Sequence, residues 1–410
     1  MRAMGDSGTR TLTRVAGYGV LAVAALTLAY LAAADALVRT RGIRANPDAY
    51  RIAPWNGRAA AQSARVSIPP RLDRPLLATL ETRATQALRE EGLSLDAVVA
   101  LGTIAQIRGQ TPKAREYFGL AERLSRRELQ TQFWGIEDAV ARNDYQGALR
   151  HYDVSLRASD RSREILFPVL TEASADPQIA PALVDILRTK PAWGEPFIYF
   201  AAQKSSNPRA MAGLLQQLKR AGVSIPDAAP AMTISTLVGK RAFDEAWTLY
   251  LASNPDAKRD RTRDERFAAA PPSPSLFDWQ LFQDNGISAA IERGDTGNVL
   301  SVSGGSISYG LVARQMGLLP HGSYRFDSKL TLASHSDLSQ LYWQISCIDG
   351  QVLAKITLPA ASTGSEGIFR ARVDVPANCP AQYVALYAQP SEGSGGFDGT
   401  VEYARLVPGR

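Results

Sequence analysis

The chain has 410 residues, more than one ordinary hydrophobic core needs, so we expect two or three domains. Hydrophobic residues make up 45% of the sequence, which excludes an intrinsically disordered chain. The formal net charge is +6, and no basic run is interleaved with aromatic residues, which argues against nucleic-acid binding. The charge is uneven: from Leu276 onward there are 9 basic and 12 acidic residues, and the preceding part carries the other 37 and 28.

An uncharged apolar stretch near the start predicts a membrane anchor. Residues 15–34 contain no charged side chain, and at about 1.5 Å per residue a helix of this length crosses the roughly 30 Å core of a bilayer. We therefore predict a cytoplasmic tail at residues 1–14, a transmembrane signal anchor at 15–38 and a membrane-proximal segment at 39–68. The sequence "AAAD" ending at Asp35 leaves a cleaved secretory signal as the alternative.

The two cysteines, Cys347 and Cys379, bear on the location of the chain. A disulfide between them would stabilise the fold by about 3–4 kcal/mol in the chain-entropy model, and it would persist only in an oxidising compartment. The alternative is a pair of unpaired thiols in a cytosolic protein with reversed topology. Arginines flank both ends of the apolar stretch and leave the orientation open. With the anchor, the cysteines favour a bacterial inner-membrane protein that crosses once and lies mostly in the periplasm.

Two stretches, residues 103–128 and 138–164, align when the sequence is shifted by 34 residues. Each predicts a helix, a tight turn and a second helix. Gly109 and Asn143 occupy the two turns and tolerate a left-handed backbone, while small residues let the paired helices approach closely. A third copy is predicted at residues 237–255. The residues expected to pack within the repeats are Leu101, Gly102, Ala105, Ala114, Phe118, Ala121, Ala139, Ala148 and Tyr152.

The period and these residue types resemble the tetratricopeptide repeat. The first copy has the Leu-Gly pair and the expected alanine and aromatic positions, whereas the second has Gly135-Ile136 in place of the pair and Ser155 in place of an alanine. The resemblance implies an α-solenoid over residues 69–258 that binds protein partners on a concave surface. A plain helical bundle with two similar hairpins is the alternative.

Residues 259–275 predict a linker, because mixed charge gives way to Ala, Pro and Ser and the prolines cannot continue a helix. After it the hydrophobic period becomes 2, as in strands. Residues 276–410 therefore predict an antiparallel β-sandwich of jelly-roll type, so the expected fold class is multidomain, α followed by β. The predicted strands are "LVARQM", "YRFDSKLTLA", "QLYWQISC", "IFRARVDVP", "QYVALYAQP" and "GTVEYARLV".

The order of features after the linker resembles carbohydrate-binding modules and galactose-binding-like jelly rolls. An aromatic opening, "FDWQL", precedes a strand, a turn at "GLLPHG" and further strands. The resemblance implies that exposed aromatic rings stack on pyranose faces while polar side chains hydrogen-bond to hydroxyls. Trp279 and Trp343 are expected in the core. The candidate glycan contacts are Arg314, Tyr342, Gln344, Arg372, Tyr387 and Gln389.

Known catalytic signatures do not occur in the sequence. The histidines His151, His321 and His335 are isolated, and no HExxH, CxxC or GxSxG motif is present, so we predict no catalytic residue, metal or cofactor. The expected function is a membrane-anchored, non-enzymatic periplasmic scaffold that binds protein partners through its repeats. The jelly-roll resemblance extends this to glycan contact in cell-envelope polysaccharide assembly or export. The alternatives are a protein-only adaptor with a structural β cap and a cryptic carbohydrate-active enzyme.

Overall fold

The computed structural model describes residues 23, 25–34, 36, 49–68, 73–294, 297–332, 340–357, 366–391 and 396–409. The chain divides into two units, residues 1–162 and residues 163–410. The first unit is helical, and the second contains helices followed by a sandwich of two antiparallel sheets. This confirms the expected order of a helical part and a C-terminal β-sandwich.

Part of the predicted anchor is described. Residues 23, 25–34 and 36 are helical, and the Tyr30 hydroxyl donates a hydrogen bond of 2.8 Å to the Ile52 carbonyl. The Tyr30 ring also lies 5.8 Å from the ring of Trp55. Within the described residues, no helix combines the length and hydropathy that a membrane crossing requires. The rest of the anchor and the predicted tail at 1–14 lie outside the described residues.

The helices of the first unit follow one another as antiparallel neighbours. α2 packs on α3, α4 on α5, and α6 on α7. At the N-termini of α2, α3, α6 and α7 a side chain accepts hydrogen bonds from free backbone N–H groups, as Asp73 does before α3 and Asp144 before α7. The bounds are α1 (Ala49–Ile52), α2 (Gly57–Val66), α3 (Arg74–Glu91), α4 (Leu95–Ile107), α5 (Thr111–Leu124), α6 (Leu129–Ala141) and α7 (Tyr145–Ala158).

The second unit begins in the first turn of α8. In its helical part α10 packs on α12 and α12 on α13. The large aromatic residues Trp193 and Phe197 are fully buried there. The bounds are α8 (Arg161–Ala173), α9 (Ala180–Arg188), α10 (Gly194–Lys204), α11 (Pro208–Arg220), α12 (Ala228–Gly239) and α13 (Phe243–Leu251).

Three helix hairpins share one turn geometry. In α4–α5, α6–α7 and α12–α13, three residues join the helices, and the middle one has a positive φ: 74° at Gly109, 57° at Asn143 and 57° at Arg241. The N–H of the next residue donates to the carbonyl five positions earlier, at 2.9 Å in all three turns. The four bounds of α4–α5 and of α6–α7 differ by 34 residues each. The predicted repeat is therefore also a repeat of backbone conformation.

Small residues let the paired helices approach, as expected. A Cβ added to Gly102 would lie 3.0 Å from the ring of Phe118, and one added to Gly135 would lie 2.8 Å from the ring of His151. Gly135 does not align with Gly102 at a shift of 34, so the second hairpin makes its closest approach one residue earlier. All nine predicted packing residues of the repeats are buried.

The segment at 259–275 has neither helix nor strand, as expected of a linker, but it packs against the sandwich. The Thr262 N–H donates to the Leu406 carbonyl at 3.0 Å, and the Ala404 N–H donates to the Glu265 carbonyl at 2.9 Å. Phe267 is fully buried in the core of the sandwich. The physical reason is that burying the Phe267 ring removes a large apolar surface from water. This stabilisation outweighs the tendency of the turn-forming residues around it to stay exposed.

The sandwich consists of two five-stranded sheets in the described residues. Sheet A has the order β1-β4-β9-β6-β7, and sheet B has the order β2-β3-β10-β5-β8. From β3 onward the chain crosses to the other sheet at every connection except β6–β7. Inward side chains from both sheets fill one core that includes Trp279 and Trp343. The bounds are β1 (Gln280–Leu281), β2 (Ile287–Gly294), β3 (Gly297–Gly304), β4 (Gly310–Gly317), β5 (Gly322–Leu332), β6 (Leu341–Cys347), β7 (Val352–Thr357), β8 (Glu366–Val375), β9 (Gln382–Ala388) and β10 (Phe397–Pro408).

The strands with clear alternation were predicted, and those without it were missed. β4, β5, β6, β8, β9 and β10 correspond to the six predicted strands. β2 and β3 were not predicted, because Ala, Ser and Gly give them a weak hydrophobic alternation. β7 was also missed, because it is short and its side chains are mostly exposed or half-buried.

Cys347 and Cys379 form a disulfide, and both are nearly inaccessible at 1% and 3% exposure. The bond joins the end of β6 to the chain before β9. It therefore holds together two neighbouring strands of sheet A beside their hydrogen-bonded ladder.

Gly102 and Gly119 provide a matched test of the close approach in the first hairpin. Substituting Gly102→Val places branched carbons against the buried Phe118 ring and is expected to destabilise the chain by about 1–3 kcal/mol. Gly119 has no neighbouring atom within 4 Å of an added Cβ, so Gly119→Val should change stability by less than about 0.5 kcal/mol. Urea unfolding followed by helical circular dichroism measures both, and equal effects would contradict the packing described.

Candidate functional site

The outer face of sheet A carries most of the predicted glycan contacts. We call it the sheet A face. Tyr342 on β6 lies directly opposite Tyr387 on β9, and the rings stack with centroids 5.4 Å apart and planes 12° apart. The next row of paired residues runs across four strands, from Arg314 on β4 through Ala385 on β9 and Gln344 on β6 to Lys355 on β7. The outward side chains of the face include Gln280, Leu311, Arg314, Tyr342, Gln344, Ser346, Lys355, Thr357, Tyr383 and Tyr387.

The two sheets differ sharply in charge. The five strands of sheet A contain no Asp or Glu, and their two charged residues are Arg314 and Lys355. The five strands of sheet B contain six acidic and six basic residues. On sheet B opposite charges pair, for example Lys329 with Glu402 at 2.9 Å. Sheet B thus presents an ordinary solvated surface, whereas the sheet A face presents tyrosines, amides and two cations.

Tyr342 is not the open stacking platform that the resemblance implied. The Lys355 Nζ lies 4.0 Å from the centroid of its ring, and Tyr387 stacks on the ring from β9. Because β6 lies between β9 and β7, these two groups approach the ring from opposite sides. Burial, and then the neighbouring Tyr387, raise the pKa of the Tyr342 phenol above its ordinary value, so it stays a hydrogen-bond donor. Tyr342 can offer its edge and hydroxyl to a ligand, but not a ring face.

Arg314 is held in place at the β4 side of the face. Its Nη2 donates to the Gln280 Oε1 at 3.1 Å, and its guanidinium carbon lies 4.5 Å from the centroid of the Tyr383 ring. Phe282 lies near it as well, at 5.4 Å. Arg314 therefore covers one side of the Tyr383 ring, as Tyr342 covers one side of the Tyr387 ring, and the other side of Tyr387 has no aromatic or cationic partner among the described residues.

Tyr309 extends the face and was missed in the sequence. It directly precedes Gly310, the first residue of β4, which pairs with Ala388 at the end of β9, so Tyr309 lies at this end of the two strands. Tyr309 is 55% exposed and its neighbour Ile307 is 82% exposed. No other aromatic side chain in the described part of the sandwich is as accessible. The signal available was "SYG", an aromatic residue in a turn next to glycine, where burial is not required.

The structure brings five of the six candidate contacts to one region. Arg314, Tyr342, Gln344 and Tyr387 lie on the sheet A face, and Gln389 follows β9 at its end. Arg372 lies on β8 in the other sheet, where it donates to the Ser323 Oγ at 2.8 Å and lies 3.5 Å from Asp374. Alternation along β8 showed that Arg372 points outward, but the sheet to which β8 belongs depends on strand order, which the pattern does not reveal.

A cleft of about 630 Å³ lies between the helices and the segment before the sandwich, within the second unit. Its size is that of a small-molecule site. Its walls are mostly apolar and include Leu215, Pro226, Pro230, Ile234, Pro271 and Pro272. Tyr250, Asn254, Arg263 and Asp278 supply polar groups at the same cleft.

These polar groups bind one another. Arg263 forms an ion pair with Asp278, and the guanidinium also donates to the Asn254 Oδ1 at 2.7 Å. The Tyr250 hydroxyl donates to the Asp278 Oδ1 at 2.9 Å, and Ser275 donates to the Oδ2 through both its N–H and its hydroxyl. Burial, and then the Asp278 charge, raise the pKa of Tyr250 far above its ordinary value. The polar floor thus joins α13 to the sandwich, and we assign it to structure.

The described residues contain no cluster of three or more His, Cys, Asp or Glu that could hold a metal ion. His151 is engaged within its hairpin, where its Nδ1 lies 2.6 Å from the Gln132 Oε1. Burial lowers the pKa of His151. These observations assign it a packing role beside Gly135. His335 lies outside the described residues.

Comparison with known proteins finds similarity only at the level of structure. No protein-family model matches the chain, and no curated protein sequence matches it. TmCBM61, solved in complex with β-1,4-galactotriose, is 11% identical, with 32% of this chain and 88% of that chain covered and a TM-score of 0.23. The CBM22-1 xylan-binding domain of Paenibacillus barcinonensis Xyn10C is 12% identical, with 38% and 99% covered and a TM-score of 0.27. The carbohydrate-binding module CBM6cm-2 of Cellvibrio mixtus lichenase 5A, in complex with cellotriose, is 15% identical, with 30% and 88% covered and a TM-score of 0.21.

Asp278 provides a test of the joint between α13 and the sandwich. Asp278→Asn leaves the largely buried Arg263 without its counter-charge and is expected to cost about 3 kcal/mol, at the lower end for a broken buried pair. Tyr250→Phe removes one hydrogen bond to a carboxylate and should cost about 1.5–3 kcal/mol. Asp260→Asn is the control, since its pair with Arg261 is exposed and should leave the urea midpoint unchanged. A midpoint that does not move for Asp278→Asn would show that the joint is not as described.

Proposed function

We propose that this chain is a membrane-anchored, non-enzymatic periplasmic scaffold that holds protein partners through its helical hairpins and contacts a saccharide with the sheet A face. The observation that carries the saccharide part is the composition of that face. Tyrosine hydroxyls and glutamine amides lie beside apolar ring surface, without a carboxylate on any of the five strands.

The chemistry of the face suits a ligand rich in hydroxyl groups. Tyr342, Tyr387 and Gln344 provide donors and acceptors in adjacent rows, and Tyr309 provides the exposed ring at one end. A few converging polar groups on an apolar platform are what a saccharide site needs. Because these polar groups come from two neighbouring strands, β6 and β9, a ligand that contacts all of them would lie across the strands.

A strand-adding peptide is a poorer occupant of this face. β9 pairs with both β4 and β6, and β6 pairs with both β9 and β7, so their backbone groups are used within the sheet. Peptides that extend a sheet need a free edge, whereas the tyrosines lie on these central strands. On these central strands only the side chains are free to contact a ligand, which favours a ligand recognised through its hydroxyl groups.

The helical part supports the scaffold half of the proposal. Hairpins α4–α5 and α6–α7 have helices of equal length, displaced by 34 residues, and the same turn. This regular repetition is typical of a tetratricopeptide-like stack. A stack of this kind buries its apolar faces between neighbours and leaves an extended surface for partners. α12–α13 repeats the turn but at a different spacing, so the stacking proposed over residues 69–258 includes irregular helices.

The periplasmic location is supported by the Cys347–Cys379 disulfide, because such bonds persist in oxidising compartments. The uncharged apolar stretch at 15–34 supplies most of the proposed anchor at 15–38. Both features are compatible with one crossing of the inner membrane and a periplasmic bulk.

Saccharide binding is tested on the full chain in detergent by a glycan array followed by calorimetry with the strongest ligand. Tyr387→Ala and Tyr309→Ala should each weaken binding about tenfold, since losing an aromatic contact of this kind costs about 0.5–1.5 kcal/mol beyond its buried area. Arg372→Ala, on the other sheet, should leave affinity unchanged.

Two other outcomes of the glycan-binding experiment would replace the proposal. An array without any binder, together with a partner captured through the helices, would replace the proposal by a protein-only adaptor with a structural β cap. Release of new reducing ends from a bound glycan would identify a carbohydrate-active enzyme instead.

Location is tested by labelling thiols in intact cells grown without added reductant. Cys347 and Cys379 are buried, so the label must be added after denaturation in acid, which prevents exchange. We expect neither cysteine to react unless a reductant is added first. Labelling of both without reductant would place the sandwich in a reducing compartment and support the reversed topology.

A further inference from the structure

We infer that the saccharide bound by the sheet A face is acidic, a polymer whose sugar units carry carboxylate groups. The inference rests on the proposed saccharide function and names its ligand class. It follows from the two charges of the face, Arg314 and Lys355, which are both cationic and lie at the two ends of one row of side chains.

Lys355 is the more accessible cation. It is exposed on β7, and its Nζ lies over the Tyr342 ring. No carboxylate among the described residues lies within ion-pair distance of it. A cation held over an aromatic ring keeps its charge available, because the ring attracts it without neutralising it. The Tyr342 hydroxyl and Lys355 can therefore act on the same ligand group.

Arg314 is held more rigidly at the other end of the row. Its guanidinium lies between aromatic rings and binds the neutral Gln280 amide, not a carboxylate. Its Nε is buried without a hydrogen-bond partner in the described structure. A partly desolvated guanidinium that lacks a counter-charge gains most from an anionic partner, since charge pairing is stronger away from bulk water.

Most basic side chains of the opposite sheet are paired with a carboxylate, unlike the two cations of this face. Five basic side chains of sheet B have a carboxylate between 2.8 and 3.6 Å away. Asp327 alone receives three of them, Arg325, Arg370 and Arg405. The region from Leu276 onward has more acidic than basic residues, so the cationic character of the sheet A face does not reflect the charge of the domain as a whole.

The spacing favours a polymer over a single sugar. Arg314 and Lys355 lie on β4 and β7, with β9 and β6 between them. Three strand spacings of about 4.8 Å place their backbones about 14 Å apart. One carboxylated sugar cannot reach both, whereas consecutive sugars lying across the strands can.

The test compares polygalacturonate with its fully methyl-esterified form, which has the same backbone without the charge. Binding to the full chain is measured at low and at high salt, with polyglutamate as an acidic peptide and monomeric galacturonate as a single sugar. We expect polygalacturonate to bind more tightly than the ester, with an affinity that falls as salt rises. The monomer should compete weakly.

Variants assign the effect to the face. Lys355→Gln should weaken polygalacturonate binding about two- to fivefold, the value of an exposed charge contact, and Lys355→Glu should weaken it further by repulsion. Arg372→Gln removes the same charge from sheet B and should change nothing. Binding of the ester should be insensitive to Arg372→Gln, and either Lys355 substitution should weaken it less than it weakens polygalacturonate binding, because the ester has no charge for Lys355 to pair with. Lys355 is exposed, so its replacement leaves the core untouched.

The outcomes separate this inference from the function on which it rests. Equal binding of polygalacturonate and its ester, unaffected by Lys355→Glu, would overturn the acidic ligand and leave saccharide binding standing. Polyglutamate binding as tightly as polygalacturonate would also overturn the inference, because the face would then recognise charge without sugar. Absence of binding to every saccharide of the array and to both polymers would overturn the proposed function itself.

Discussion

The second unit depends on one buried carboxylate, that of Asp278. A buried charge is tolerated only when it is paired and hydrogen-bonded, and here Arg263, Tyr250 and Ser275 satisfy it together. The same Arg263 exchanges two backbone hydrogen bonds with the Gln315 side chain of β4. The joint thus fixes α13, the segment before the sandwich and β4 relative to one another. Because β4 carries Arg314 and leads from Tyr309, this interaction also positions one side of the candidate site.

The division of charge between the two sheets gives the sandwich a distinct binding side. Sheet B carries many charges of both signs, which pair with each other and keep that surface soluble. Sheet A concentrates aromatic, amide and cationic groups, and the Tyr342 ring is held by Tyr387 and Lys355 from the neighbouring strands. As a consequence, Tyr387 and Lys355 cover the two sides of the Tyr342 ring, which cannot stack on a ligand. The sheet A face instead presents a row of fixed hydrogen-bond donors that need little ordering when a ligand binds.

The parts of the fold governed by local pattern were readable from the sequence, and the parts governed by distant contacts were not. The hairpins could be predicted because helix period, small residues and turn residues such as Asn143 are all local. Strict alternation likewise revealed β6. Phe267 could not be recognised as a core residue, since its partners lie far along the chain and its neighbours are typical of a linker.

Among the candidate site residues, Arg372 was grouped with Tyr387 because both point outward, and only strand order separates them. Tyr309 was overlooked because it lies in a turn, where no period exists.

The central claim is that the sheet A face, and not sheet B, contacts a saccharide, and hydroxyl-radical footprinting tests it most directly. The full chain is oxidised with and without polygalacturonate, and the oxidation rate of each tyrosine is read by mass spectrometry. Tyr403 on β10 serves as the internal reference, since its half-buried ring lies on sheet B under Arg405. The account predicts slower oxidation of Tyr309 and Tyr387 in the presence of the polymer and an unchanged rate at Tyr403. Unchanged rates at Tyr309 and Tyr387, or protection of Tyr403 alone, would contradict it.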